Sequence, residues 1–106
     1  MPTYNGSEGG QIEPEVAASY TQNYRQSIAG KEGVAKAHFF GRDILQAILE
    51  QEGCMGIRIY YGIDENGQKQ LVLVGANADG EDMEDGVMAD FSHVCPPDCV
   101  ASILNG

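Results

Sequence analysis

The chain has 106 residues and a mass of 11.4 kDa, which suits a single domain with one modest hydrophobic core. Its 16 acidic and 6 basic residues give a formal net charge of −10 at pH 7. This charge argues against nucleic acids and anionic membranes as main partners, because both attract basic surfaces. Hydrophobic residues make up 42% and charged residues 21% of the chain, as in soluble globular proteins, which excludes wholesale disorder.

The N-terminal part divides into a leader and a helix. Residues 1–12 combine glycines with polar side chains, so we expect a mobile leader ahead of a single domain over 13–106. Pro14 favours a helix start, because the N–H that proline lacks has no partner at the first helical position. Apolar residues recurring every four positions predict an amphipathic helix over 14–29, ended by Gly30. These residues are Val16, Tyr20, Tyr24 and Ile28.

The following segments predict a second helix and a third strand beside a hairpin. Residues 31–40 fit either a short strand or a turn, since so short a segment has no decisive periodicity. An apolar face predicts a helix over 42–52. Five acidic residues without a basic one predict an exposed loop over 76–86, and a third strand is expected near 86–92. Asp98 favours a short last helix, which it would cap.

A β-hairpin centred on 56–75 is the clearest local prediction. Its two arms are rich in β-branched and aromatic residues, and the connection Asp-Glu-Asn-Gly suits a type I turn with Gly67 in the left-handed region. This turn fixes the register of the strands and pairs Tyr60 with Val72. The sequence therefore also predicts which side chains share a face of the sheet.

The predicted register gives the hairpin two apolar faces. One face is expected to form the core under the two helices. Its members are Ile57, Ile59, Tyr61, Leu71 and Leu73. The opposite face is too apolar for free contact with water. Its members are Arg58, Tyr60, Val72 and Val74. We expect the C-terminal segment, an unidentified protein or, most economically, a second copy of the chain in a homodimer to cover this opposite face.

Several segments resemble one group of proteins. The strands IRIYYG and LVLVG and the tail CPPDC, with the upstream segments NYRQS and HFFGRDIL, are similar to those of a group of small, uncharacterised bacterial proteins of about this length. The resemblance covers residues 20–99 and implies one small domain. It implies no reaction, substrate or ligand, so no functional residue is transferred from it.

The C-terminal part carries a candidate metal site. His93, Cys95 and Cys99 offer an imidazole and two thiolates, which are the usual ligands of tetrahedral zinc, although a closed site needs a fourth ligand. The two cysteines could equally be free buried thiols, a short-loop disulfide or a redox pair. Zinc is therefore one hypothesis among several for this segment.

Arg58 is the one basic side chain inside a predicted strand. On a covered face it needs a carboxylate, because an unpaired buried charge is strongly destabilising, and Asp90 on the third strand is the expected partner. Alternatively, Arg58 and Tyr60 belong to a ligand site in which the guanidinium recognises an anion or a peptide carboxylate. No catalytic residue is predicted, since nothing brings Cys54 and His38 together as nucleophile and base.

These features predict an α+β fold, with two N-terminal helices packed on a small antiparallel sheet built around the hairpin and a short C-terminal Cys-Pro-Pro segment. The expected function is a non-catalytic binding or assembly module. The alternative is a small zinc- or ligand-binding protein, and an enzyme is less favoured. The start of the chain lacks the basic and apolar regions of a secretory signal, so we expect a cytoplasmic protein.

Overall fold

The computed structural model describes residues 3–105 and has the α+β fold that the sequence predicts. Antiparallel pairing orders the strands as β2-β3-β4 in one sheet and as β1-β5 in a second. The elements in chain order are α1 (Pro14–Ser27), β1 (Ala37–Phe39), α2 (Arg42–Leu49), β2 (Gly56–Ile63), β3 (Lys69–Ala76), β4 (Met88–Ala89) and β5 (His93–Cys95). Neither helix among the described residues is long and apolar enough to cross a membrane.

Contacts between backbones group the described chain into two compact units. The first unit contains residues 3–9 and 40–92, and the second contains residues 10–39 and 93–105. The hairpin and α2 belong to the first unit, whereas α1 and the β1-β5 ladder belong to the second. The boundary expected from the sequence, between a leader and one domain, stays a prediction.

The hairpin has the predicted register. Tyr60 pairs with Val72, and the ladder continues without a bulge from one end of β2 to the other. At the turn, the Asp64 N–H donates to the Gln68 carbonyl over 2.9 Å, and the Gly67 N–H donates to the Asp64 carbonyl over 3.0 Å. Gly67 has φ +80°, the left-handed conformation that this turn requires and that glycine adopts without strain. Local turn chemistry therefore sets the register, as expected.

The core of the first unit lies between α2 and β3. Ile48 of α2 is fully buried and Leu73 of β3 is 2% exposed, and they form one cluster with Ala89 of β4. Partly buried apolar residues surround this cluster. They are Phe40, Ile44, Leu45, Cys54, Ile57, Leu71 and Val87. The apolar face predicted for the second helix thus packs on the hairpin, although α2 ends at Leu49.

The expectation that the whole face of β2 on this side is core is wrong. Ile59 is 55% exposed and Tyr61 is 94% exposed, although their cross-strand neighbours include the buried Leu73. The reason is length. The eight residues of α2 span about 12 Å, whereas the eight residues of β2 span about 26 Å. One short helix therefore covers only part of the hairpin.

The third strand is shorter than expected. β4 consists of Met88 and Ala89, which pair with Val74 and Leu73 of β3. Phe91 follows with φ +60°, a left-handed conformation that ends the extended backbone.

The second unit combines α1 with the two-stranded ladder. Residues 31–40, which fitted a strand or a turn, include the strand β1, and Ala37 pairs with Cys95 of β5. The Tyr24 hydroxyl donates to the Ala35 carbonyl over 2.9 Å, and the Arg25 guanidinium donates to the Leu104 carbonyl over 2.6 Å. These bonds attach α1 to the segment just before β1 and to the C-terminal segment.

The short last helix expected after Asp98 is not formed in residues 99–105, of which only 103–105 make a turn. The Asp98 carboxylate faces His93 instead of capping backbone N–H groups, with Oδ2 lying 3.4 Å from Nδ1. A helix in this position would lack the cap on which the prediction depended.

Candidate functional site

A polar cluster lies on the face of the hairpin opposite α2. The Arg58 guanidinium donates to Asp82 Oδ1 over 2.5 Å and to the Gly80 carbonyl over 2.9 Å. The Tyr60 hydroxyl donates to Asp82 Oδ2 over 2.5 Å. Both carboxylate oxygens of Asp82 are therefore occupied by side chains of β2. The partner expected for Arg58, Asp90, is the wrong carboxylate, because it follows β4, and β3 lies between β4 and β2.

The charged and polar groups of Arg58, Tyr60 and Asp82 compensate one another within this cluster. Hydrogen bonds from Tyr60 and then from Arg58 stabilise the ionised Asp82 carboxylate and lower its pKa below the ordinary value. The same hydrogen bond to Asp82 raises the pKa of the Tyr60 hydroxyl. Asp82 therefore stays ionised at neutral pH and neutralises Arg58, which leaves the guanidinium weakly suited to an anionic ligand.

Residues of the N-terminal segment cover Arg58. The guanidinium carbon lies 5.5 Å from the centre of the Tyr4 ring, within the range of a cation–π contact. The Tyr4 N–H donates to the Ala78 carbonyl over 2.7 Å. Val74 on this face is only 2% exposed, and since the structure holds a single chain, its own residues produce this burial. Part of the face expected to need a second copy is thus covered from within.

A cavity of about 350 Å³ adjoins Arg58. Its lining residues are Tyr4, Gly6, Glu8, Met55, Gly56, Ile57, Arg58 and Ala76. Tyr60 is not among them, and the ligand site expected at Arg58 and Tyr60 stays a prediction. The Glu8 carboxylate accepts the N–H groups of Asn5 and Gly6 over 3.0 and 2.9 Å, and these bonds lower the pKa of Glu8. An ionised carboxylate at this cavity further disfavours an anion.

The candidate zinc residues lie together in the second unit, but two of them are bonded to each other. Cys95 and Cys99 form a disulfide with a Cα–Cα separation of 4.8 Å, which is one of the states that the sequence left open. Within residues 3–105, no group of three or more His, Cys, Asp and Glu side chains has the arrangement of a metal site. Zinc binding by His93 and these two cysteines stays a prediction that applies to the reduced chain.

A larger groove of about 590 Å³ adjoins this disulfide. The Phe39 and His93 rings form part of its wall and meet edge to face, with their centres 6.4 Å apart. Burial lowers the pKa of His38, another lining residue, so its imidazole is neutral at pH 7. Cys54, by contrast, belongs to the first unit, where its thiol lies 3.2 Å from the Gly56 carbonyl. Cys54 and His38 therefore belong to different units.

A row of apolar side chains, three of them exposed, lies on β2. We use the name β2 row for Ile57, Ile59, Tyr61 and Ile63, which alternate along the strand and share its α2 side. Ile63 is 73% exposed, and Ile59 and Tyr61 are also exposed, as given above. The sequence predicts a core position for Ile57, Ile59 and Tyr61 and makes no prediction for Ile63. The alternation of apolar side chains continues to Ile63, the last residue of β2 before the turn. The length of this alternation is the signal in the sequence that indicates the row.

Comparisons of the chain with protein-family models, with curated proteins and with solved structures find no match. The resemblance to a group of small bacterial proteins therefore stays a prediction. The functional conclusion depends on the geometry of the chain itself.

Proposed function

We propose that this chain is a non-catalytic binding and assembly module, and that the β2 row is its protein-binding surface. One observation carries the proposal: a strand of eight residues at the end of its sheet exposes Ile59, Tyr61 and Ile63 to water. Exposed apolar side chains that are contiguous on one element are typical of interaction surfaces, whereas isolated ones are ordinary.

The polar groups near the hairpin support a structural role for the opposite face. Arg58 Nη1 and the Tyr60 hydroxyl both donate to the Asp82 carboxylate, which compensates the charge of the guanidinium. Their hydrogen bonds hold the acidic loop against β2. A rigid hairpin that keeps its apolar row in place is what a protein-binding module needs.

The cytoplasmic location expected from the sequence is a further proposal, and the disulfide counts against it. Disulfides persist in oxidising compartments and are rare in reducing cytosol. In a reducing compartment we therefore expect Cys95 and Cys99 as thiols, the form in which they could bind zinc. The redox state of these cysteines in cells, measured by alkylation before lysis, decides between the two compartments.

The proposed function is tested by site-specific photocrosslinking in cells. We replace Tyr61 with p-benzoylphenylalanine, a photoreactive aromatic residue, and compare it with the same replacement of Phe91. Phe91 is a matched control, because it is an aromatic residue with 92% exposure but lies outside the row. We expect a discrete protein adduct from position 61 and none from position 91. Irradiation that gives no adduct at position 61, or the same adducts at both positions, overturns the proposal.

A further inference from the structure

We infer that the partner of the β2 row is a second copy of this chain, joined by antiparallel pairing of β2 with β2 about a two-fold axis at Tyr60. This inference rests on the proposed function, because it names the partner of the same surface. It makes one six-stranded sheet from two three-stranded ones.

The outer edge of β2 offers backbone hydrogen-bonding groups. β2 is a terminal strand of the order β2-β3-β4. The Asp64 N–H donates to the Gln68 carbonyl, and on the side of β3 away from β2 the Met83 N–H donates to the Gly75 carbonyl. These bonds fix which residues along the antiparallel ladder direct their backbone groups to each side. The odd-numbered residues of β2 therefore direct their N–H and C=O groups outward. Within residues 3–105, these groups have no backbone partner outside their own strand pair.

The outward groups are self-complementary about Tyr60. A two-fold axis at this residue places Ile57 opposite Ile63 of the second copy and Ile59 opposite Tyr61 of the second copy. All of these are outward-directed positions, so the pairing forms about eight hydrogen bonds, two for each hydrogen-bonded pair. Seven of the eight residues of β2 are used, because the row from residue 57 to residue 63 is centred on residue 60.

The same axis also brings matching side chains together. On the α2 side, isoleucines and tyrosines of the two rows meet, and apolar or aromatic cross-strand pairs of this kind stabilise sheets. On the opposite side, the two Tyr60 rings become direct neighbours while each hydroxyl stays bonded to its own Asp82. Arg58 lies opposite Gly62 of the second copy, so no like charges are paired. The side-chain contacts and the backbone hydrogen bonds therefore favour the same register.

The charge distribution favours the same edge. The chain carries 16 acidic residues, yet β2 contains none of them, and its one ionised side chain, Arg58, is neutralised by Asp82. Proteins usually block an exposed strand edge with lysine, proline or a bulge. The segment 56–63 has no lysine or proline, and its ladder has no bulge. In a molecule of net charge −10, pairing along this strand brings no acidic side chain of β2 against another.

The mass of the native particle is the first test. Sedimentation and native mass spectrometry of the oxidised chain at tens of micromolar should give twice the chain mass of 11.4 kDa. Tyr61→Pro should weaken this association by about tenfold or more, because it removes an outward N–H from each copy. Proline is tolerated at such an edge position, and circular dichroism should confirm an unchanged fold. A particle of 11.4 kDa, or an association that Tyr61→Pro leaves unchanged, overturns the inference.

A cysteine crosslink tests the register. The two residues at position 60 form a non-hydrogen-bonded pair, whose Cα atoms lie about 4.5 Å apart, within reach of a disulfide. In a Cys54→Ser background, Tyr60→Cys should therefore give a covalent dimer under mild oxidation. Gly62→Cys is the matched control, because the two copies of residue 62 are about 13 Å apart in this register. Equal crosslinking of both variants overturns the register.

The photocrosslinking of position 61 separates the two proposals. An adduct whose mass is twice that of the chain supports the second copy as partner. An adduct with a different protein only overturns this inference and leaves the binding function standing. No adduct overturns the binding function as well.

Discussion

Leu73 and Ile59 are cross-strand partners on one face of the sheet, and truncating each of them to alanine tests how far the core extends. Each substitution removes three carbon atoms. Leu73 is 2% exposed, so Leu73→Ala removes about 2.4 kcal/mol of transfer free energy and leaves a cavity, for a total cost near 3 kcal/mol. Ile59 is 55% exposed, so Ile59→Ala loses about 1 kcal/mol and leaves no enclosed cavity.

The assay is urea unfolding followed by far-ultraviolet circular dichroism at the lowest usable protein concentration, where association contributes least. The expected difference between the two free energies of unfolding is about 2 kcal/mol, and the slope against urea should not change. Equal losses would refute the reasoning, because they would mean that α2 covers both residues. A larger loss for Ile59→Ala that grows with protein concentration would instead report burial of the row between two copies.

Three further predictions test other contacts. Cys99→Ser removes the disulfide that closes a five-residue loop and should cost about 2 kcal/mol of unfolding free energy relative to the unchanged chain. When both proteins are measured under reducing conditions, this difference should vanish. Gly80→Ala should destabilise the chain more than Gly67→Ala, because both have positive φ but only at Gly80 would the new Cβ lie 2.6 Å from the Tyr4 ring; equal melting temperatures would contradict this. Asp82 has a pKa below its ordinary value of 3.8, so its contribution to stability is present above that pH and is lost as the pH falls through the folded-state pKa. Asp82→Asn should therefore flatten the acid limb of a stability–pH curve, and an unchanged limb would show that the carboxylate is not stabilised.

The sequence predicts the hairpin well because its determinants are local. The turn needs one residue with positive φ three positions after Asp64, and Gly67 provides it, so the pairing of Tyr60 with Val72 follows from the turn alone. The first helix likewise begins at Pro14, where the missing proline N–H has no consequence.

The features that the sequence does not predict depend on distant contacts. Hydrophobic alternation shows that Ile59 faces the α2 side, but it does not show that α2 ends at Leu49 and leaves that residue exposed. In the same way, the acidic loop reads as solvated, and only the folded chain brings Asp82 to Arg58. Composition gives the loop its charge, whereas the path of the backbone selects which carboxylate is used.

The two edges of the β2-β3-β4 sheet differ greatly in length, and this difference limits how many copies can join. β2 offers eight residues at one edge, whereas β4 offers two and is followed by Phe91 with φ +60°. A sheet with two long open edges can grow indefinitely into a filament, because every added copy presents a new edge. The proposed pairing of two β2 strands would consume the long edge of both copies and leave only the short ones. The proposed assembly would therefore stop at two copies without a residue dedicated to preventing polymerisation.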